Sequence, residues 1–239
     1  MADFVMGVIS SLAATSLTVA SGWVLSKRLR RMLTAMFSRF AGLPVQQVYE
    51  RQELASPDLA RDLANAQWIR VLTGRGNELT RDTFRTVWTG GMRRPPQFVE
   101  VLLPDLQRGP DSWLARREED MRRADPTFSA GFLAEQVRTN THFVIAAARH
   151  HGNVSLRFYN LPHTHRVIVT NEVAYLTLYG GSVHGRHSPC VAAQRPSLLY
   201  DIALSLFSTA WEQSGPENRA LEDQQLAAAP PIRGSGGPA

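Results

Sequence analysis

Four of the seven histidines lie within 25 residues of one another, at His163, His165, His184 and His187. Imidazole changes charge near neutral pH, so such a set can ligate a metal, attack phosphorus or hold a phosphate as imidazolium. Histidines scattered over a surface would do none of these. No carboxylate partner for the set can be picked out, so no metal site is assigned and no cofactor is called for. A second segment, Thr73-Gly74-Arg75-Gly76-Asn77-Glu78, follows an apolar run and precedes a helical pattern. Gly74 and Gly76 would let backbone amides approach an anion while Arg75 adds charge, which makes the three candidate contacts for a phosphate-bearing ligand. The segment matches neither the Walker A nor the dinucleotide fingerprint, and a tight turn from strand to helix needs glycine on conformational grounds alone.

The periodicity of the chain predicts the frame that would hold these residues. Helices are expected over 57–66, with Ser56 as N-cap and Pro57 as first helical residue, and over 80–89, 111–123, 127–150 and 197–213. Strands are expected over 68–73, 98–103, 154–159, 166–170 and 173–179, the last two joined by Asn171-Glu172. That hairpin would bring His163 and His165, ahead of one strand, towards His184 and His187, in the loop after the other. Strands alternating with helices, then a hairpin, give an α/β fold: a mixed β-sheet flanked by helices.

The run from His163 and His165 through Thr170, followed by Gly181-Ser182, resembles the hairpin of the phospholipase D-like superfamily, whose motif is HxKxxxxD and then a glycine-serine pair. The resemblance implies a phospholipase D-like sandwich and a phosphate site to which Ser182 belongs. It implies His163 as nucleophile and His165 at the phosphate-binding lysine position, with the site shared within a chain or across a homodimer. Thr170 stands where the family has aspartate, and together with the lost lysine this implies weak or absent phosphodiesterase turnover. Thr73 to Gly76 and the segment His184 to Pro189 also resemble uncharacterised bacterial regulator-associated domains, which look like degenerate modules of the same kind. This makes His184 and His187 ligand-binding candidates beside Ser182.

The net charge of +5 is concentrated in one place. Lys27, Arg28, Arg30, Arg31 and Arg39 have no acid among them, and the other basic residues are balanced by acidic ones, so a broadly basic nucleic-acid-binding domain is not expected. The cluster follows 23 uncharged residues from Phe4 to Ser26, about 34 Å as a helix against a bilayer core of roughly 30 Å. A basic flank after the apolar stretch, with Asp3 before it, predicts a single-pass transmembrane helix with the remainder of the chain in the cytoplasm. The expected organisation is a transmembrane helix over 1–26, a basic juxtamembrane segment and linker over 27–56, the α/β domain over 57–213 and a disordered tail over 214–239. The one cysteine, Cys190, excludes an intramolecular disulfide.

Three functions fit this sequence. One is a membrane-tethered sensor or signalling module that binds a phosphate-bearing small molecule or lipid, with nucleic acid not expected as a partner. The others are an active membrane-bound phosphodiesterase using His163 and a structural adaptor in which the histidines are incidental.

Overall fold

The computed structural model describes residues 45–92, 94–125, 127–180 and 185–214. The expected transmembrane helix, the basic cluster, Gly181, Ser182, His184 and the tail beyond 214 lie outside the described residues. Among the described residues no helix is long and apolar enough to cross a membrane.

Seven strands form one mixed sheet in the order β1-β7-β6-β5-β2-β3-β4. They are β1 (Val45–Tyr49), β2 (Ile69–Leu72), β3 (Val99–Pro104), β4 (Val154–Tyr159), β5 (His165–Thr170), β6 (Val173–Leu178) and β7 (Cys190–Gln194). The β2–β3 and β3–β4 pairs are parallel and the others antiparallel. The helices are α1 (Ser56–Ala64), α2 (Asp82–Trp88), α3 (Trp113–Ala124), α4 (Phe132–His151) and α5 (Leu198–Gln213). The α/β class and the mixed sheet expected from the sequence are therefore present.

Because side chains alternate along a strand, the sheet builds two cores. Ile69, Val71, Val101, Phe158, Ile168 and Tyr175 form one with α1, α2 and α4. Leu72, Leu102, Tyr159, Val167 and Val169 form the other beneath Tyr200, Ala203 and Phe207 of α5. The β5–β6 hairpin turns at Asn171-Glu172 as expected. Thr170 Oγ1 donates to the Val173 carbonyl and accepts from its amide, at 3.1 and 3.0 Å, and Asn171 Oδ1 accepts from the Gln67 amide at 2.7 Å, tying the turn to the approach of β2.

Besides the helix expected from 127, which begins at Phe132, the structure differs from expectation at three places. Helix α1 begins at Ser56 itself, because a 3-10 turn, Gln52–Ala55, runs directly into it and leaves Ala55 at the cap. The polar segment after Pro44 contains a strand: β1 pairs with β7, and its Tyr49 hydroxyl donates to Asp58 of α1 at 2.8 Å. The third difference is β7, which carries Ala192 and Ala193 where a β-branched pattern would have announced a strand.

Candidate functional site

The turn after β2 is held from behind by side chains of distant elements. Asn140 on α4 donates through Nδ2 to the Arg75 carbonyl and to Asn77 Oδ1, both at 2.7 Å, and the Tyr159 hydroxyl donates to the Thr73 carbonyl at 3.1 Å. Gly76 sits at φ +78°, and a Cβ there would come within 3.0 Å of Leu103 and 3.1 Å of Asn140, so glycine is required by both backbone and space. Carbonyls of the turn are thus engaged, whereas the amides of residues 74–78 donate to no acceptor among the described residues.

His163 lies one bend ahead of β5 and is brought directly onto this turn. Its ring stacks on Tyr179, with centroids 5.7 Å apart and planes 8° from parallel, while its other neighbour is the backbone at Gly74. Burial, and then the positive charges of Arg117, Arg75 and His165, lower His163 to about 4. The imidazole is neutral at pH 7. Burial also raises the Tyr179 phenol.

These residues line a cavity of about 470 Å³. Four arginines reach it from four separate segments: Arg75 from the turn, Arg81 from the approach to α2, Arg117 from α3 and Arg186 from the 3-10 turn Gly185–His187. Among the described residues the one acid on its wall is Glu78, whose Oε1 accepts from the Thr73 hydroxyl and lies 3.7 Å from Arg166 Nη1. Arg166, fully buried on β5, donates through Nη2 to Thr177 Oγ1 at 3.1 Å, and its Nε and Nη1 lack a hydrogen-bonding partner among the described residues. A remaining stretch of wall is apolar, made by Met121, Phe132 and Leu133.

The two segments singled out in the sequence therefore meet, through Gly74, Arg75 and His163, while Gly76 sets the bend. His165 does not line the cavity: it sits beside Arg166 in β5, on the opposite face of the sheet, with Nδ1 2.8 Å from Thr164 Oγ1, and burial lowers its pKa. His187 also stays off the wall, its Nδ1 3.9 Å from Glu53, although its neighbour Arg186 contributes. Arg81, Arg117, Arg186 and Glu78 were not assigned from sequence. Arg117 is surrounded there by Glu118, Glu119 and Asp120 and reads as part of a solvated helix face. Among the described residues no group of three or more His, Cys, Asp or Glu could hold a metal ion.

Fold and cavity together define an α/β domain with a cationic pocket at one end of its central strands. No family model and no curated protein matches the chain. Among solved structures it is similar to TrmBL2, an archaeal chromatin protein whose structure is described as showing a novel mode of DNA binding, at 13% identity and a TM-score of 0.41, over 87% of this chain and 68% of that one. The assignment to the phospholipase D-like superfamily is corrected: no family model matches the chain, the solved structure reported above is that of a DNA-binding chromatin protein, and His165, the residue at the lysine position, lies outside the cavity that His163 enters. The exclusion of nucleic acid as a partner is corrected on the same finding.

Proposed function

We propose that this chain is a membrane-tethered sensor or signalling module whose domain binds a phosphate-bearing ligand in the arginine-lined cavity. The observation that carries this reading is the convergence of Arg75, Arg81, Arg117 and Arg186 on one concave site where Glu78, itself answered by buried Arg166, is the one carboxylate among the described residues. Like charges gathered in a partly desolvated cleft repel, and an anion relieves that repulsion. Binding is favoured over turnover because His163 has no carboxylate partner among the described residues to orient it, and its ring is confined between Tyr179 and Gly74. The tether rests on the uncharged stretch and basic flank at the N-terminus.

The test is a calorimetric titration of pyrophosphate into the full-length chain in detergent. Arg75→Ala is expected to weaken binding by about tenfold or more, since charge-assisted contacts to an oxyanion contribute roughly 1.5–3 kcal/mol. Arg123→Ala, which removes an exposed guanidinium paired with Glu119, serves as the control and leaves affinity unchanged. No measurable binding, or equal loss in both variants, overturns the reading.

A further inference from the structure

Helical spacing gives the cavity two chemically different ends. On α3, Met121 follows Arg117 by four residues, so the two lie on one face, one turn apart. On α4, Phe132 precedes Gln136 by four residues, and Gln136 Oε1 accepts from Arg75 Nη1 at 3.4 Å. Both helices thus present an apolar residue one turn away from the arginine-bearing part of the wall. They are joined by a connection in which the Gly131 amide donates to Glu118, which sets Phe132 beside the turn of α3 that runs from Arg117 to Met121. The separation is about 5–6 Å, one helical turn.

Phe132 is 46% exposed although it lines the cavity. Its ring is held edge to face against Phe128, with centroids 5.4 Å apart, so it is a fixed aromatic surface and a large apolar area left uncovered. Glu78 stands on the same wall. Its carboxylate repels phosphate but accepts hydrogen bonds from hydroxyl groups.

We infer that the phosphate-bearing ligand is a nucleotide, its phosphates among Arg75 and Arg117 and its base against Phe132 and Met121. This rests on the anion-binding reading above. A nucleotide joins an anionic end to a planar apolar end through a hydroxyl-bearing sugar spanning about one helical turn, and a cavity of about 470 Å³ is within the range that holds such a molecule. Free phosphate or a sugar phosphate would leave Phe132 and Met121 uncovered.

The test titrates ADP, pyrophosphate and a single-stranded oligothymidylate into the full-length chain in detergent, with wild type, Phe132→Ala and Phe132→Trp. ADP is expected to bind at least about tenfold more tightly than pyrophosphate despite carrying less charge, since stacking of one base on one aromatic ring corresponds to roughly that factor or more. Phe132→Ala is expected to erase the ADP advantage without altering pyrophosphate binding, which also shows that the variant is folded, and Phe132→Trp is expected to restore it. Equal affinity for ADP and pyrophosphate, unchanged in Phe132→Ala, overturns the nucleotide inference and leaves the anion-binding reading standing. Oligothymidylate binding more tightly than ADP and unaffected by Phe132→Ala also overturns it, in favour of a nucleic acid strand. Binding of none of the three overturns both.

Discussion

The imidazole of His163 fills the space in which Gly74 would carry a side chain: a Cβ built on Gly74 falls 1.1 Å from His163 Nε2. One contact thereby joins the turn after β2 to the segment entering β5, and each residue explains the type of the other. Gly74 is required here by close approach, unlike Gly76, whose positive φ is itself sufficient reason.

Gly74→Ala is therefore expected to displace the His163 ring and to destabilise the domain by about 2–3 kcal/mol, the upper range for overpacking a filled interior. In a His163→Ala background the three atoms nearest that Cβ are removed, and the same substitution is expected to cost less than about 1 kcal/mol. Urea denaturation of the four proteins of this double-mutant cycle measures the coupling. Strict additivity would show that the contact does not hold the two segments together.

The low pKa of His163 makes stability depend on pH in a defined window. The unfolded chain takes up a proton near 6.5 and the folded one near 4, so between these values the unfolded state binds more protons and stability falls as pH falls. The contribution is complete above about 6.5 and is lost by the time pH has fallen through about 4. A shift of this size corresponds to a few kcal/mol in order of magnitude. His163→Gln is expected to flatten the decline of unfolding free energy between pH 6.5 and 4. An unchanged slope in the variant would place the acid sensitivity elsewhere.

What was readable in the sequence follows the strength of the local signal. The strands β2 and β3 are continuous apolar runs, and the β5–β6 hairpin alternates around a two-residue turn, so periodicity locates them to within a residue or two. The strands β1 and β7 were not readable, since Gln46-Gln47 and Ala192-Ala193 are poor strand formers that are recruited by pairing with one another at the edge of the sheet. In the site, the glycine turn and His163 could be found because loops at strand ends carry ligands. Arg117 could not, because among alternating charges nothing local says which arginine the packing of α3 will turn towards β2. The histidine set misled through His165. It stands two residues from His163, but His163 lies before the strand begins, so strand alternation does not put the two on one face.

Arg166 tests how the wall of the cavity is held. Its side chain is 1% exposed, donating to Thr177 and lying against Cys190, with the Glu78 carboxylate 3.7 Å away as compensation for its charge. Glu78 is itself 15% exposed and faces further arginines across the cavity, so the pair is asymmetric. Removing the glutamate strands a buried cation, whereas removing the arginine leaves a carboxylate that still has water and the other guanidinium groups near it. Glu78→Gln is therefore expected to cost about 3 kcal/mol or more, as for breaking a buried pair from one side. Arg166→Met is expected to cost less, and Arg166→Met combined with Glu78→Gln is expected to recover a large part of the loss, because an apolar side chain of similar length suits a site with two unmet donors. Thermal and urea unfolding of the three variants measure the order. A single substitution of Arg166 more damaging than that of Glu78 would mean that Arg166 stabilises the sheet through its contacts on β5 and β6 and not through the charge it lends to the cavity.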